Sequence, residues 1–355
     1  MSRMNTGTVV ECRGSFREIG RQYGEACREN LRNSLDFIFR VLTNGYRTTK
    51  EDVMAQAEKY IPNVQAFDPD YLEQVKGTAE AVGCDWREMF TLRCVLELGV
   101  YYQKLRGLCT SFAVAGDRTR EGKTILGQNI DWFPHVPLDI VKMEYENGVR
   151  VLSVSLGGFV EYSLNSSGYG MSANSLFTAP DGFRIHLPIG CYLPKVMRQS
   201  SFEEAFSLLC QAARGIGYFH LADASGRLRG IESVFDGYTV IEPSGGMLYH
   251  TNCYLTDSYQ GQDTAGTILP DSFARKERMA DRLADLAGEL TAERMMDVLR
   301  DHDNAPTSIC RHVDPNQPAE WQMTTVASLV MVPEDGVMHV AWGNPCEVAY
   351  RTYTV

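Results

Sequence analysis

Hydrophobic residues in the first 108 positions of the chain recur mainly at helical spacing. The pattern from Phe16 to Leu42 predicts one amphipathic helix, although Gly20 and Gly24 lower its intrinsic helix propensity. A short strand is predicted before it at Thr8–Cys12, and further helices are predicted at Lys50–Tyr60, Tyr71–Ala81 and Asp85–Leu98. We therefore expect residues 1–108 to form a mainly helical segment.

From Cys109 onward the pattern changes to short β-rich runs separated by turn residues. The predicted strands are Thr110–Ala115, Thr124–Gln128, Leu138–Tyr145, Arg150–Leu156, Val160–Leu164, Gly170–Asn174, Tyr218–Asp223, Leu228–Ser233, Gly237–Glu242, Gly246–Asn252, Thr324–Met331, Val337–Trp342 and Ala349–Val355. Helical patterns return at Phe202–Ala213, Arg275–Ala287 and Thr291–Asp301. Consecutive strands with helices between the groups favour an α+β fold with antiparallel sheets. Because no low-complexity linker interrupts the chain, residues 109–355 are expected to share one globular unit with residues 1–108.

Composition and charge exclude several classes of partner. The chain has 355 residues, of which 44% are hydrophobic and 22% charged, which is typical of a soluble globular protein. Its net charge of −11 is spread along the sequence, which argues against nucleic acid as a partner. No signal-like segment and no apolar run of about 18 residues is present, so we expect a cytoplasmic protein without a membrane span. Whether it forms a homo-oligomer is left open.

The cysteines do not have the spacing of a metal site. None of the ten forms a CxxC pair or accompanies a His-x₃₋₅-His pattern, which predicts neither a structural zinc site nor a disulfide framework. His220, Asp223 and Glu232 are candidates for a triad or metal site, but neighbouring strand residues face opposite ways. We therefore expect neither a metal nor a cofactor.

Cys109 is the candidate nucleophile, because it lies where the helical segment gives way to the first strand of the β-rich region. A cut between Leu108 and Cys109 would give this residue an α-amine, whose pKa near ~8 suits it to take the proton of its own thiol. The alternative is a buried structural cysteine.

Three polar residues at strand ends are candidate partners of Cys109. The hairpin through residues 117–122 is expected to return Asp131 close to Cys109, where its carboxylate could hold the α-amine. Asn252, and less securely Asn174, are candidate oxyanion donors, because a side-chain amide can stabilise a tetrahedral intermediate. Each is also typical of a turn or cap. Arg311 is a candidate carboxylate clamp, or one half of a structural salt bridge.

These motifs, in this order, resemble the penicillin acyltransferase family of N-terminal nucleophile hydrolases (acyl-coenzyme A:6-aminopenicillanic acid acyltransferase and its relatives). The resemblance spans essentially the whole chain. The residues that carry it are Cys109-Thr110-Ser111, Gly127 to Trp132, Leu164 to Gly170, Ala222 to Gly226, His250-Thr251-Asn252, Asp303 with Ser308 to His312, and Gly343 to Cys346.

The resemblance implies a four-layer αββα sandwich and a precursor that cuts itself before Cys109. Residues 1–108 would then be the pro-segment, which stays a partner of the catalytic chain 109–355. The implied roles are Cys109 as nucleophile and base, Asp131 orienting its amine, and Asn252 in the oxyanion hole. The expected substrate is a small acyl amide, such as an N-acyl amino acid, peptide or β-lactam side chain, or an acyl thioester.

Leu108 departs from the family pattern, which places glycine directly before the nucleophile. Glycine tolerates the strained backbone of an N→S acyl shift better than leucine does. Leu108 therefore supports one alternative, an unprocessed relative that serves as a binding protein. A separate alternative is a papain-type protease, in which a histidine activates an internal cysteine.

Overall fold

A computed structural model describes residues 7–44, 48–104, 107–178, 183–215, 217–318 and 322–355. The chain divides into two compact units that interleave along the sequence. The first comprises Met1–Arg106, Val136–Ser167 and Phe183–Gly215, and the second Gly107–His135, Gly168–Gly182 and Ile216–Val355. Among the described residues, each helix is either too short or too polar to traverse a lipid bilayer.

The first unit combines helices with four strands, numbered along the whole chain. Its strands are β1 (Val9–Arg13), β4 (Leu138–Glu144), β5 (Arg150–Leu156) and β6 (Val160–Asn165). Its helices are α1 (Phe16–Ala26), α2 (Arg28–Thr43), α3 (Lys50–Glu58), α4 (Ile61–Phe67), α5 (Pro69–Val82), α6 (Trp86–Arg93), α7 (Val95–Tyr101), α8 (Ile189–Met197) and α9 (Phe202–Ala212). The strands lie in the order β1-β4-β5-β6, antiparallel except for the parallel pair β1 and β4.

Two predicted helices are each split in the structure. The segment from Phe16 is interrupted at Cys27, and Gly20 and Gly24 in α1 are sites of close packing against α5. A Cβ on Gly20 would lie 1.9 Å from the carbonyl oxygen of Gln74, so only glycine permits this contact between the helices. The predicted helix Asp85–Leu98 is likewise interrupted, at Cys94.

The second unit contains two groups of strands. Its strands are β2 (Leu108–Val114), β3 (Ile125–Trp132), β7 (Tyr169–Asn174), β8 (Gly217–Asp223), β9 (Leu228–Val234), β10 (Gly237–Ile241), β11 (Met247–His250), β12 (Thr324–Val332), β13 (Val337–Ala341) and β14 (Arg351–Thr354). A six-stranded sheet has the order β11-β2-β3-β12-β13-β14, and β7-β8-β9-β10 form an antiparallel run. The helices are α10 (Asp257–Gln260), α11 (Ala265–Ile268), α12 (Asp271–Asp285) and α13 (Ala292–Leu299).

Helices cover one face of the six-stranded sheet, and β7 lies against the other. Phe112 on β2 shares an apolar core with Met279 on α12 and Met295 on α13. On the opposite face, the side chain of Gln128 accepts a 2.8 Å hydrogen bond from the backbone N–H of Ala173 on β7. The predicted α+β fold with antiparallel sheets is confirmed.

Candidate active site

Cys109 is the second residue of β2, an interior strand of the six-stranded sheet. It pairs with Ile130 of β3 and is 3% exposed, while Leu108 pairs with Asp131. Left-handed backbone at a non-glycine residue is confined, among the described residues, to Gln103, His135 and Asn304. Leu108 therefore has ordinary strand geometry.

The alternation of side chains along β2 and β3 puts the thiol and the carboxylate on opposite faces of the sheet. Phe112 faces the helices, so Thr110 and Leu108 face them too, whereas Cys109 and Ser111 face β7. Because cross-strand partners share a face, Asp131 lies on the helix side with Leu108. The carboxylate can therefore act on the backbone of Cys109 but does not face its sulfur.

Asn252 binds the backbone on both sides of the predicted cleavage site. Its Oδ1 accepts a hydrogen bond from the backbone N–H of Cys109 at 3.1 Å. Its Nδ2 donates to the carbonyl of Ser175 at 2.9 Å and to that of Gly107 at 3.5 Å. Ser272 Oγ accepts the backbone N–H of Asn252, which holds this loop against α12. Two of the predicted site residues, Cys109 and Asn252, are thus in direct contact.

Arg275 on α12 is the principal site residue that the sequence reasoning missed. Its Nη1 donates to the carbonyl of Cys109 at 2.9 Å and to Thr110 Oγ1 at 2.8 Å, and its Nη2 donates to Asn252 Oδ1 at 2.9 Å. The side chain is 1% exposed and lies on the buried stripe of α12 with Ser272 and Met279. A charged residue on an otherwise buried helix stripe was the signal that could have revealed it.

Asp131 and Arg275 belong to one chain of alternating charges. Arg311 Nε lies 3.4 Å from Asp131 Oδ2, and its guanidinium also contacts Asp271, which in turn accepts a 2.9 Å bond from Arg275 Nε. Thr325 Oγ1 donates to Asp131 Oδ1 at 2.7 Å. The predicted carboxylate clamp Arg311 thus binds two carboxylates of the protein itself.

Burial and the two arginines act in opposite directions on these carboxyl groups. Burial raises the pKa of Asp131 above its ordinary value, and the charges of Arg311 and Arg275 only partly offset that rise. At Asp271, burial also favours the neutral form, but Arg275 and Arg311 outweigh it and lower the pKa. Asp271 is therefore the firmly ionised member of the chain.

Asn174 is the last residue of β7 and contacts Ser111, which lies two residues after Cys109 on β2. Its Oδ1 accepts a hydrogen bond from Ser111 Oγ, and its Nδ2 donates to the carbonyl of His250 at 3.3 Å. These contacts join β7 to β2 and β11 close to Cys109. The side-chain amide of Asn174 therefore lies near Cys109 and is hydrogen-bonded to other groups of the protein.

The histidine closest in sequence to Asn252 is fully committed to other partners. Both ring nitrogens of His250 are within hydrogen-bond distance of acceptors, Nδ1 of the carbonyl of Thr251 at 2.8 Å and Nε2 of Glu232 Oε1 at 2.9 Å. Glu232 also accepts the backbone N–H groups of Leu255 and Thr256, so it fixes the loop that carries Asn252.

The remaining candidates for a metal or triad have separate partners. Burial, reinforced by His250, lowers the pKa of His220 to about 3, so this ring is neutral, and its Nδ1 lies 3.2 Å from the hydroxyl of Tyr218. Asp223 binds Arg227, while Glu232 binds His250. These three residues therefore do not form one catalytic or metal-binding group.

Comparison with known proteins shows the family of the chain, which is an acyltransferase family. The profile of the family described as acyl-coenzyme A:6-aminopenicillanic acid acyl-transferase matches residues 118–347, more than half of the chain, and the chain belongs to this family. The resemblance drawn from the sequence motifs is confirmed.

Individual relatives were found among both sequences and structures. The 40 kDa form of acyl-coenzyme A:6-aminopenicillanic-acid-acyltransferase from Emericella nidulans is 24% identical over 310 residues, which cover 85% of this chain and 84% of that protein. A mutant and a variant of conjugated bile acid hydrolase from Clostridium perfringens each align with a TM-score of 0.47 and 15% identity, over 70% of this chain and 97% of theirs.

Proposed function

We propose that Cys109 is the nucleophile of an N-terminal nucleophile amidohydrolase or acyltransferase, which forms when the chain cuts itself between Leu108 and Cys109. The observation that carries the proposal is the 3.1 Å hydrogen bond from the backbone N–H of Cys109 to Asn252. The nitrogen that must become the catalytic base is already held in a buried polar site, with Arg275 on the carbonyl of the same residue.

Self-cleavage begins when Cys109 Sγ attacks the carbonyl carbon of Leu108. A C–S bond forms, the C–N bond breaks, and the nitrogen leaves as the α-amine of Cys109. Water then hydrolyses the thioester, which releases residues 1–108 with a free carboxylate and restores the thiol. Asn252 contacts this peptide on both sides, because its Oδ1 accepts the N–H of Cys109 and its Nδ2 contacts the carbonyl of Gly107. It is therefore the side chain that we expect to stabilise the oxyanion.

In turnover, the α-amine takes the proton of the thiol and the thiolate attacks the substrate carbonyl. The resulting ammonium protonates the leaving amine, which departs as the S-acyl enzyme forms. Water or an acceptor amine then attacks the acyl carbon and regenerates the thiolate. Hydrolysis and acyl transfer share the first half of this cycle and differ only in the second nucleophile.

Asp131 gains its role through the cut itself. In the continuous chain it faces Leu108 across the β2–β3 ladder. After the cut, the new α-amine of Cys109 would lie at that end of the strand, next to the position that pairs with Asp131. A carboxylate beside it stabilises the ammonium form, and Arg311 and Thr325 hold that carboxylate in place.

The substrate class follows from the reactive group and the relatives. A thiolate accepts acyl groups from amides and thioesters alike. An acyl-coenzyme A and an aminopenicillanic acid are the reactants named in the fungal relative, so an acyl thioester with an acceptor amine is the first pair to test. Trp132 and Phe133, buried at the end of β3 with their rings edge to face and centroids 5.8 Å apart, are the apolar side chains that we propose to contact the acyl chain.

Intact-mass measurement combined with a substrate panel tests the proposal. The wild-type chain should break at Leu108/Cys109, and the panel of N-acyl amino acids, peptides, penicillins and acyl thioesters should release free amine or thiol. Cys109→Ala should abolish both, while the matched control Cys84→Ala should retain both. A chain that stays whole after prolonged incubation, or an active Cys109→Ala variant, would contradict the proposal.

Asp131→Asn separates the role of the carboxylate from that of the fold. It should slow processing or turnover while leaving the circular dichroism spectrum unchanged, and unchanged rates for both would refute the assigned role.

The second candidate is an unprocessed binding protein, which the 3% exposure of Cys109 in the continuous chain favours. It predicts a single intact chain that binds panel members without turnover. A papain-type mechanism is disfavoured because both nitrogens of His250 have other partners.

A further inference from the structure

Two histidines and two cysteines converge in the second unit, outside the proposed catalytic site. His302 follows α13, Cys310 and His312 lie on the segment before β12, and Cys346 follows β13. One ligand atom from each of the four lies within 4.8 Å of every other. The absence of CxxC spacing hid this group from the sequence, because its members come from three separate segments.

The separations between the ligand atoms match a tetrahedral metal site. With Zn–S near 2.3 Å and Zn–N near 2.0–2.1 Å, tetrahedral angles separate two sulfurs by about 3.8 Å, sulfur and nitrogen by about 3.6 Å, and two nitrogens by about 3.3 Å. The two Sγ atoms lie 3.6 Å apart, and His312 Nε2 lies 3.8 and 3.4 Å from Cys310 and Cys346. The two Nε2 atoms of His302 and His312 are 3.0 Å apart.

The surrounding groups are those that support metal ligands. The Nδ1 of His312 lies 3.7 Å from Glu347 Oε1, so a carboxylate is close to the ring nitrogen that would not bind the ion. Asn344 Nδ2 lies 3.7 Å from Cys310 Sγ and can donate to a thiolate. These contacts can orient the two ligands toward one ion.

We propose that His302, Cys310, His312 and Cys346 bind one Zn²⁺ ion as a structural site. Two thiolates and two imidazoles are a ligand set that selects zinc. All four coordination positions are filled by protein atoms, so no position is open for water or substrate. The ion would link the segment 302–312 to the loop after β13, and it would take no direct part in the reaction at Cys109.

The bound zinc ion would also restrict the position of Arg311. Cys310 and His312 flank this residue, whose guanidinium contacts Asp131 and Asp271. Its carbonyl accepts hydrogen bonds from Thr324 and Asn344 on the same side. Fixing both neighbours of Arg311 to one ion restricts the backbone from which it reaches the carboxylates.

A disulfide between Cys310 and Cys346 is the competing use of these sulfurs. Their 3.6 Å separation is well above the S–S bond length of about 2.05 Å. A disulfide also gives no reason for two imidazole nitrogens to converge on the same point. Zinc accounts for all four side chains.

The experiment measures metal content and coordination directly. The full chain, purified in a phosphine reductant to keep thiols free, is dialysed against metal-free buffer and measured by plasma mass spectrometry before and after incubation with Zn²⁺. A Co²⁺ titration of the same protein reports tetrahedral thiolate ligation through its visible and charge-transfer bands. Cys346→Ser and His302→Ala replace two exposed ligands, and Cys84→Ser is the matched control.

We expect about one Zn²⁺ per chain in wild type and in the Cys84→Ser control. In both ligand variants we expect the zinc content per chain to fall by about tenfold or more. Wild type should show the intense Co²⁺ spectrum, and removal of zinc should lower its melting temperature. A reduced wild-type chain that neither carries nor takes up zinc would overturn the proposal. Unchanged zinc content in both ligand variants would overturn it equally.

Discussion

Replacing Arg275 by methionine tests whether the buried guanidinium organises the site around Cys109. The change keeps a side chain of similar length but removes the charge and every donor. Four hydrogen bonds are lost, to the carbonyl of Cys109, to Thr110, to Asn252 and to Asp271, at distances between 2.8 and 2.9 Å. The variant therefore removes one partner from a buried network and leaves its acceptors behind.

The size of the effect follows from which acceptors stay unpaired. Breaking a buried ion pair by removing one partner typically costs about 3–5 kcal/mol. Asp271 keeps its contact with Arg311, which favours the lower end of that range, while the carbonyl of Cys109 adds a desolvation cost of about 1–3 kcal/mol. We expect Arg275→Met to lower the free energy of unfolding by about 4–6 kcal/mol, the lower end of the ion-pair cost plus the desolvation cost.

Urea unfolding at fixed pH measures the loss, with Arg278→Met as the matched control. Arg278 lies on the same helix and bonds Asp301, but its side chain is 33% exposed, so its loss should cost about 1 kcal/mol or less. Arg275→Lys keeps the charge without the planar fork and should fall between wild type and Arg275→Met in both stability and processing rate. Equal losses in the two methionine variants would refute the reasoning.

Two further predictions concern a buried carboxyl and a close backbone contact. Burial raises the pKa of Glu97 to about 8 while its Oε1 accepts the N–H of Ile189, so the folded state retains a proton that the unfolded chain releases. The free energy of unfolding should therefore fall by about 1.4 kcal/mol per pH unit as the pH rises from about 5 to 8. Urea titrations of Glu97→Gln should not show that slope. If the free energies of wild type and variant fall in parallel with pH, Glu97 is not its cause. A Cβ on Gly107 would lie 2.7 Å from the Trp132 ring, so Gly107→Ala should cost about 1–3 kcal/mol and slow the appearance of the 109–355 fragment. Gly261→Ala, where a Cβ meets nothing within 4 Å, should change neither, and equal effects in the two variants would contradict the steric explanation.

Periodicity predicted most of the strands, because each β-run carries its own local pattern. Leu138–Tyr145 and Arg150–Leu156 agree closely with β4 and β5. The parallel pairing of β1 with β4 could not be predicted, since these strands are distant in sequence. Helix α8 was also missed, because Pro194 lies inside it and disfavours a helical prediction.

The candidate site could be predicted only where the order of the sequence motifs indicates which residues lie close together. Cys109 and Asn252 were predicted as partners, and the structure places them 3.1 Å apart, although their catalytic roles remain predictions. The pattern that begins at Arg275 predicts only an ordinary helix, because its partner Cys109 lies 166 positions away in sequence. Long-range pairing of this kind leaves only an indirect trace, such as a charged residue on a buried helix stripe.

The interior position of β2 has a consequence for the enzyme that self-cleavage would produce. Chain termini ordinarily fray, since they lack neighbours to hold them. A cut before Cys109 would create a terminus within a strand that keeps β11 on one side and β3 on the other. The reacting residue would thus carry the α-amine of a chain end but stay held between two strands. We therefore expect it to move less than an ordinary chain terminus.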